Sequence, residues 1–368
     1  MSFPPLARAM KNCVAVNELV PRKQWTVGCI YIDNRTKSDE MRILHISDIG
    51  LPDPRVERMA LTMKDEGHEL VFLGGKEIRG QHLDAFSDTR FIPLGIGPRI
   101  AHDPLIKRRW LKAIQKVNPD VIHAHNVIVG HFLLDTDYPA IFDDHENLSR
   151  QRFVFMSRSF LRRNVSRVIL RKIPEWERDM ARRYPVLVTS PGAATLYDDY
   201  TSRVGVVNNK PFLREVEWLQ SPSNRKGLVY QGTDFSERKF SPMRDMTGLD
   251  RLLSFDIVAG LPEREMMMTL ARYRIGLMPY LPHPFQLICN PNKGYEYLHA
   301  GLQVVVNRNY ANLFEDNQYV HLFSDYGDIV EVVESVRDVP GAEIMSLARR
   351  KYIWDKSVDI VKEAYRQA

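Results

Sequence analysis

The stretch RILHISDIGLPDPRVERMALTMKDEGHELVFLG, residues 42–74, decides the fold. It begins with a short apolar strand, Arg42–Ser47, and ends with a second one, Glu69–Gly74. Between them, Asp53 can cap a helix that has Pro54 in its first position. One face of that helix is apolar and carries Val56, Met59, Ala60 and Met63. Strand, helix and strand in this order predict a parallel β-α-β unit.

The same alternation continues along the chain. Further short apolar strands are predicted at residues 90–94, 121–125, 140–144, 186–190 and 204–207. After a break at residues 208–225, strands are predicted at 228–232, 255–260, 274–280, 303–307 and 320–323. Apolar strands separated by helices are typical of parallel sheets covered on both faces. We therefore predict an α/β protein with two Rossmann-like domains that face a central cleft.

The length of 368 residues favours more than one domain, because a single hydrophobic core usually stops growing below this size. We assign residues 41–210 to the first domain and 211–350 to the second. Residues 1–40 form an N-terminal extension of uncertain structure, and residues 351–368 are predicted to form a helix that packs back on the first domain.

Composition limits the class of protein. Hydrophobic residues make up 44% and charged residues 26%, which is ordinary for a folded protein. The net charge of +5 is small for the length and argues against a nucleic-acid partner. No apolar run approaches the roughly 20 residues that span a bilayer, and no signal peptide is visible, so we expect a cytoplasmic protein. The three scattered cysteines do not have metal-ligand spacing, and no Asp-x-Asp motif is suitably placed, so no catalytic metal is expected.

The segment at residues 290–301, NPNKGYEYLHAG, is the best candidate for chemistry. Asn292 and Gly301 are suitable caps for a short helix whose N-terminus attracts a diphosphate. Lys293 adds a positive charge, and Glu296, three residues on, can accept hydrogen bonds from both ribose hydroxyls. The alternative interpretation is a capped surface helix with an ordinary Lys–Glu pair.

This segment resembles the donor-binding signature of GT-B glycosyltransferases, especially the retaining family 4. Four other segments resemble that family in the same order along the chain: 53–56 with 67–71, 118–125, 142–146 and 275–279. The resemblance implies a sugar donor of uridine or guanosine diphosphate held by the second domain, and an acceptor held by the first. It also implies a hexosyltransferase-like enzyme of polysaccharide biosynthesis.

The resemblance also assigns roles to residues. Glu296 corresponds to the ribose ligand, Lys293 and the helix start at Asn292 to the phosphate site, and Gly232 to the glycine loop beside the diphosphate. Arg238 and Lys239 are candidates for the basic pair that neutralises the leaving diphosphate, although their spacing departs from the family pattern.

In the first domain, His145 corresponds to the family's active-site histidine, with a role in positioning the donor sugar. Arg55 is a candidate contact for donor phosphate or an anionic acceptor, with a solvated arginine as the alternative. His125 lies nearer the carboxyl end of its strand than His123 and is the better candidate to face the cleft. Many family members have a second glutamate eight residues before the ribose ligand, but this chain has Ile288 there.

The stretch 150–183 is rich in arginine interleaved with apolar residues. A basic amphipathic helix of this kind fits docking on the anionic inner face of a membrane, and a solvated helical face is the alternative. Two other functions remain open for the whole chain: a nucleotide-sugar 2-epimerase of the same fold, or a non-catalytic relative that binds sugar nucleotide.

Overall fold

The computed structural model describes residues 40–76, 84–94, 103–150, 160–232, 249–280 and 283–368. The N-terminal extension, residues 1–39, lies outside the described residues, and so do Arg238 and Lys239. The described chain contains two parallel sheets, one of seven strands and one of five. The first sheet falls within residues 41–210 and the second within 211–350. The α/β fold class predicted from the sequence is confirmed.

The first sheet has the strand order β3-β2-β1-β4-β5-β6-β7. Its strands are β1 Arg42–Ser47, β2 Glu69–Gly74, β3 Asp88–Phe91, β4 Val121–His125, β5 Ala140–Asp144, β6 Val186–Val188 and β7 Val204–Val206. The chain leaves β1 toward β2 on one side and later returns to place β4 on the other. The carboxyl ends of β1 and β4 therefore form the crevice where open α/β sheets bind ligands.

The second sheet has the order β12-β11-β10-β8-β9. Its strands are β8 Lys226–Gln231, β9 Asp256–Val258, β10 Tyr273–Met278, β11 Gln303–Asn307 and β12 Val320–Phe323. The corresponding crevice lies between β8 and β10, because the chain passes from β8 to β9 on one side and to β10 on the other.

Twelve α-helices are assigned in the described chain. They are α1 Pro54–Lys64, α2 Pro104–Val117, α3 Val127–Gly130, α4 Phe160–Arg183, α5 Pro191–Ala194, α6 Leu213–Val216, α7 Leu249–Leu252, α8 Glu263–Leu270, α9 Asn292–His299, α10 Tyr326–Ser335, α11 Gly341–Lys351 and α12 Val358–Arg366. Asp53 caps α1 as predicted, since its carboxylate accepts from the backbone N–H groups of Arg55 and Val56. No helix in the described parts of the chain has the length and apolar content needed to cross a bilayer.

The end of the chain packs on the first sheet. Helix α12 contacts β5, β6, β7 and α1. Trp354, just before it, is fully buried among the apolar residues of that region, and its indole N–H donates to Thr62 Oγ1 at 2.9 Å. The polypeptide therefore starts and finishes its described course on the same sheet.

Direct contacts join the first sheet's part of the chain to the second's. Asn209 donates from its backbone N–H to Asn290 Oδ1 at 3.1 Å and from its side chain to Asn290 O at 2.9 Å. Ser190 Oγ donates to Ile288 O at 2.9 Å. Gly192 lies so close to Leu287 that an added Cβ would come 2.0 Å from its carbonyl oxygen. The loop that precedes α9 is thus held by residues of the first half.

Candidate functional site

Helix α9 begins beside the carboxyl end of β8. Its first residue is Asn292, and the extended Pro291 occupies the cap position without a side-chain hydrogen bond. The predicted capping role of Asn292 is therefore wrong by one residue. A proline has no backbone N–H and suits an extended residue at a helix start, so the chain enters the helix one position earlier than expected. The N–H groups of the first turn have no side-chain cap.

Gly232 and Lys293 meet at this end of the second sheet. Gly232 follows β8 with φ of 143°, and a Cβ there would lie 3.0 Å from Lys293 Nζ. Lys293 Nζ donates to Tyr280 Oη at 2.7 Å and Tyr230 Oη at 3.4 Å, and it lies 4.6 Å from the centre of the Tyr230 ring. A positive charge and a glycine turn therefore share the crevice between β8 and β10.

Glu296 lies one turn further along α9 and is half-buried. Its Oε2 accepts a hydrogen bond from Gln231 Nε2 at 2.6 Å. Burial raises the pKa of Glu296, while Gln231, Arg58 and Lys293 oppose that shift. The structure thus brings Gly232 next to Lys293 and Glu296, which lie about 60 residues later in the chain. It adds Gln231, which sequence reasoning missed although it directly precedes the glycine.

Arg58 is a second residue that the sequence did not single out. It belongs to α1 in the first half of the chain and is buried. Its Nε donates to Glu215 Oε2 at 2.9 Å, and its Nη2 lies 3.7 Å from Glu263 Oε1 on α8. Its charge also acts to lower the pKa of Glu296. Arg58 therefore places a positive charge from the first half close to the acidic group of the second.

His145 directly follows β5, as predicted. Its Nδ1 lies 3.4 Å from Asp143 Oδ2, and its Nε2 lies 3.3 Å from Asn126 Nδ2. Burial works against a charged ring, but the carboxylates of Asp143 and Asp53 outweigh it and raise the pKa of His145 to about 9. The raised pKa favours an imidazolium, a form suited to stabilising negative charge and not to accepting a proton. In that form Nε2 is a donor, so it no longer accepts from the side-chain amide of Asn126.

Two further carboxyl groups near His145 have perturbed acidity. Burial raises the pKa of Asp48, which follows β1, to about 6. Burial also raises the pKa of Asp144 to about 6, although the hydroxyl of Tyr197 donates to Asp144 Oδ2 at 2.5 Å. The end of the first sheet thus combines one cation with two weak acids, and neither Asp48 nor Asp144 was predicted from its sequence context.

Arg55 is buried in an ion pair, so the alternative of a solvated arginine is wrong, while its contact with phosphate or an anionic acceptor stays a prediction. It is 4% exposed, and its guanidinium makes three hydrogen bonds of 2.7–3.0 Å to Asp143. Its Nη1 also donates to Val207 O and Asn209 Oδ1. The reason is the arrival of Asp143, 88 residues later in the chain, directly opposite the guanidinium.

His125 is likewise buried and does not face the cleft. It is fully buried and stacks on His123, with 4.5 Å between ring centres. Its Nδ1 lies 3.1 Å from Asp143 Oδ2 and its Nε2 lies 2.9 Å from His45 Nδ1. Residues two apart on a strand share a face, so both rings enter the same buried space against β1 and β5.

Ile288, at the position of the family's second glutamate, is half-buried and packs against the apolar clusters of both sheets. A charged residue there would disturb that packing, so the substitution has a structural consequence as well as a chemical one.

No protein-family model and no curated protein sequence matches the chain. Solved structures match it over most of its length. Sucrose-phosphate synthase from Thermosynechococcus elongatus superposes with a TM-score of 0.66 at 12% identity, covering 89% of this chain and 99% of that one. HepE of Anabaena, in complex with UDP and glucose, gives 0.62 at 12% identity, covering 89% and 100%. The chain has the GT-B fold.

A third structure with the GT-B fold, WaaG, described as a glycosyltransferase of lipopolysaccharide biosynthesis, gives a TM-score of 0.56 at 14% identity and covers 87% of this chain and 99% of that one. At these identities the similarity establishes the GT-B architecture. The roles of individual residues in this chain must therefore be argued from its own geometry.

In this GT-B chain the basic stretch 150–183 ends in helix α4, and residues 151–159 lie outside the described part. Among the described side chains, Lys172 pairs with Glu175 at 2.8 Å and Arg178 with Asp179 at 3.1 Å. Arg171 and Arg182 are exposed. Acidic neighbours thus balance part of the positive charge at the carboxyl-terminal end of this helix.

Proposed function

We propose that the chain is a glycosyltransferase that moves a sugar from a nucleoside-diphosphate sugar to a glycan or lipid-linked acceptor, with retention and without a metal. The observation that carries this proposal is the meeting of Gly232, Lys293 and Glu296 at the crevice of the second sheet. The GT-B architecture also supports the proposal, because glycosyltransferases of known structure have this fold.

The diphosphate would lie against Gly232 and the start of α9. A glycine lets the backbone approach the phosphates closely, and the N–H groups of the first helical turn attract an anion. Lys293 lies against two tyrosine hydroxyls, which are neutral groups. A diphosphate offers that ammonium a stronger, charge-assisted hydrogen bond than a phenol does, so ligand binding would draw it from the tyrosines.

The ribose would bind to Glu296. The carboxylate now accepts from the amide of Gln231, and ribose hydroxyls can replace that donor without leaving the half-buried charge unpaired. Uridine and guanosine diphosphates are the nucleotides that we expect, and neither base is favoured by a described contact.

His145 would act on the sugar and the departing diphosphate as a fixed positive charge. Negative charge grows on the diphosphate as the bond to the sugar breaks, and a cation placed beforehand stabilises it. A protonated ring cannot serve as the base that activates an acceptor, which agrees with the proposed retention. Closure of the two halves over the donor would exclude water and limit hydrolysis.

A thermal-shift screen against the diphosphates of uridine, guanosine and adenosine, and against their sugar conjugates, tests the donor assignment. We expect stabilisation by a uridine or guanosine compound, since a ligand that binds the folded state raises the melting temperature. Hydrolysis and epimerisation of each stabilising donor are then measured without an acceptor, and transfer is measured with glycan or lipid-linked acceptors. Stabilisation without transfer, hydrolysis or epimerisation indicates a binding protein, epimerisation indicates the 2-epimerase, and no stabilisation contradicts the proposal.

We also propose that residues 150–183 dock on an anionic membrane surface. Support comes from the exposed Arg171 and Arg182, while the pairs with Glu175 and Asp179 weaken it. Liposomes with and without acidic lipid provide the test by co-sedimentation. Equal binding to both kinds would contradict docking, since the interaction depends on charge.

A further inference from the structure

A stack of three buried histidines lies behind His145. His45, on β1, and His123 and His125, on β4, are all fully buried. Their rings are nearly parallel, with 12–22° between planes and 4.5–5.2 Å between centres. The nitrogens of His45 and His125 lie within hydrogen-bonding distance, with 2.9 Å between His45 Nδ1 and His125 Nε2.

The direction of these hydrogen bonds follows from Asp143. Burial opposes its ionisation, but Arg55 and the surrounding histidines hold the pKa of Asp143 well below its ordinary value. An ionised carboxylate only accepts hydrogen bonds, so His125 Nδ1 must donate to it. Burial and His123 lower the pKa of His125 to about 3, so that ring is neutral and its Nε2 accepts from His45 Nδ1.

Helix α12 supplies a tyrosine that contacts the buried histidines. Tyr365 is buried, and its hydroxyl lies 2.7 Å from His123 Nδ1. If Tyr365 donates there, the proton of neutral His123 sits on Nε2, which is buried and lies 3.7 Å from Asp143 Oδ2. The route from His45 through His125 then ends in a hydrogen bond to Asp143, while the route from Tyr365 through His123 ends at an N–H group that lies near that carboxylate without a hydrogen bond to it.

We propose that Asp143 is a positioning residue: Arg55 and the aligned histidines, completed by Tyr365, hold it as a carboxylate that orients the His145 ring and keeps it cationic. The last helix of the chain, through Tyr365, therefore contributes to the charge and orientation of the His145 ring. This inference rests on the proposed function in one respect only, namely that the charge of His145 stabilises the departing diphosphate.

Other ionisable groups also face His145. They are Asp48 after β1, Asp53 and Arg55 at the start of α1, His123 and His125 on β4, and Asp144 on β5. Asp53 favours the charged ring and Arg55 opposes it, but Asp143 has the largest favourable effect. Asp144 is its natural control, since it is a buried carboxyl group next to Asp143 on the same strand.

Nitrogen-15 NMR of histidine-labelled full-length protein tests the inference without any donor. The signal of His145 is assigned by its loss in His145→Gln. In the wild type we expect both of its nitrogens to be protonated at pH 7. In Asp143→Asn the ratio of charged to neutral ring should fall more than about 100-fold, because the ring loses its main anion while burial remains. Asp144→Asn should leave His145 charged at pH 7.

Tyr365→Phe tests the part played by the last helix. In the wild type, His123 should have a proton on Nε2 and none on Nδ1. The variant removes the donor to Nδ1, so we expect the nitrogen shifts of His123 to move while the fold is kept. The inference is overturned if wild-type His145 is neutral at pH 7, a result that requires no variant to fold. It is also overturned if Asp143→Asn leaves His145 charged or if His123 carries its proton on Nδ1. A charged His145 in a protein that binds no nucleotide would contradict only the proposed function.

Discussion

At the end of β5, Asp143 and Arg55 form an ion pair that is at most 4% exposed, and buried histidines surround it. At the end of β8, Lys293 and Glu296 are half-buried and lie beside tyrosine hydroxyls and an amide. A fully buried charge must keep its partner, because water cannot replace it. A half-buried charge beside neutral groups can exchange them for a ligand. From this comparison we propose that the first region supports the site and that the second binds the donor.

The largest effect is expected from Arg55→Met. Removing one member of a buried pair leaves Asp143 without its main partner, which should cost about 3–5 kcal/mol of unfolding free energy. Urea denaturation measures the loss. Arg42→Met is the matched control, because the pair of Arg42 with Glu69 is exposed and should contribute little. Equal losses in both variants would remove the distinction between the two regions.

Glu296→Ala should raise the donor KM by about 10- to 100-fold, which corresponds to the roughly 1.5–3 kcal/mol of hydrogen bonds to a charged group. Steady-state kinetics with the identified donor measures it, and stability should change little. The control is Glu331→Ala, which removes an exposed carboxylate on α10. Unchanged donor kinetics would contradict the assignment of Glu296.

Gly192→Ala should move the loop before α9 slightly away from the first half of the chain. Its new Cβ would lie 2.0 Å from Leu287 O, so the loop before α9 must shift, at a cost of about 1–3 kcal/mol. Thermal unfolding and donor affinity should both fall. Gly227→Ala is the control, since an added Cβ meets nothing within 4 Å there. A fully stable Gly192→Ala with unchanged donor affinity would show that this contact does not position the donor loop.

The smallest effect should appear in the pH dependence of donor binding. Because the pKa of His145 is about 9 in the folded chain, its charge and its favourable contribution to binding are lost as the pH rises through 9. The same shift above the ordinary 6.5 means that His145 stabilises the fold fully below pH 6.5 and loses this contribution between 6.5 and about 9. Calorimetric affinities from pH 7 to 10 should decline for the wild type and stay flatter for His145→Gln. Parallel curves would contradict the role of the ring.

Local patterns in the sequence predicted the bounds of six strands. Strands β1, β2, β4, β5, β11 and β12 have the predicted bounds, because their apolar residues are continuous and their ends are polar. The other strands, β3, β6, β7, β8, β9 and β10, differ from the prediction by a few residues at one or both ends. Pairing with neighbouring strands sets these limits as well as composition does.

The candidate site also contains residues whose positions the sequence predicted and others whose positions it did not. Gly232, Lys293 and Glu296 come together as the motifs suggested, because Gly232 follows a strand and the other two lie in the first turns of a helix that begins beside it. The places of Arg55 and His125 could not be predicted, because both depend on contacts with Asp143, which lies on another strand. The shifted start of α9 reflects a choice between Pro291 and Asn292 that local preferences do not settle.

Isothermal titration calorimetry of uridine and guanosine diphosphates, with uridine and guanosine as the matched ligands without phosphate, tests the central claim most directly. The proteins are the wild type, Lys293→Met and Lys351→Met, the last removing an exposed lysine of α11. We predict that one diphosphate binds to the wild type and to Lys351→Met, and that Lys293→Met loses about tenfold or more in affinity for it, while binding of the nucleoside is unaffected. No diphosphate binding to the wild type, or equal affinity in all three proteins, would contradict the account.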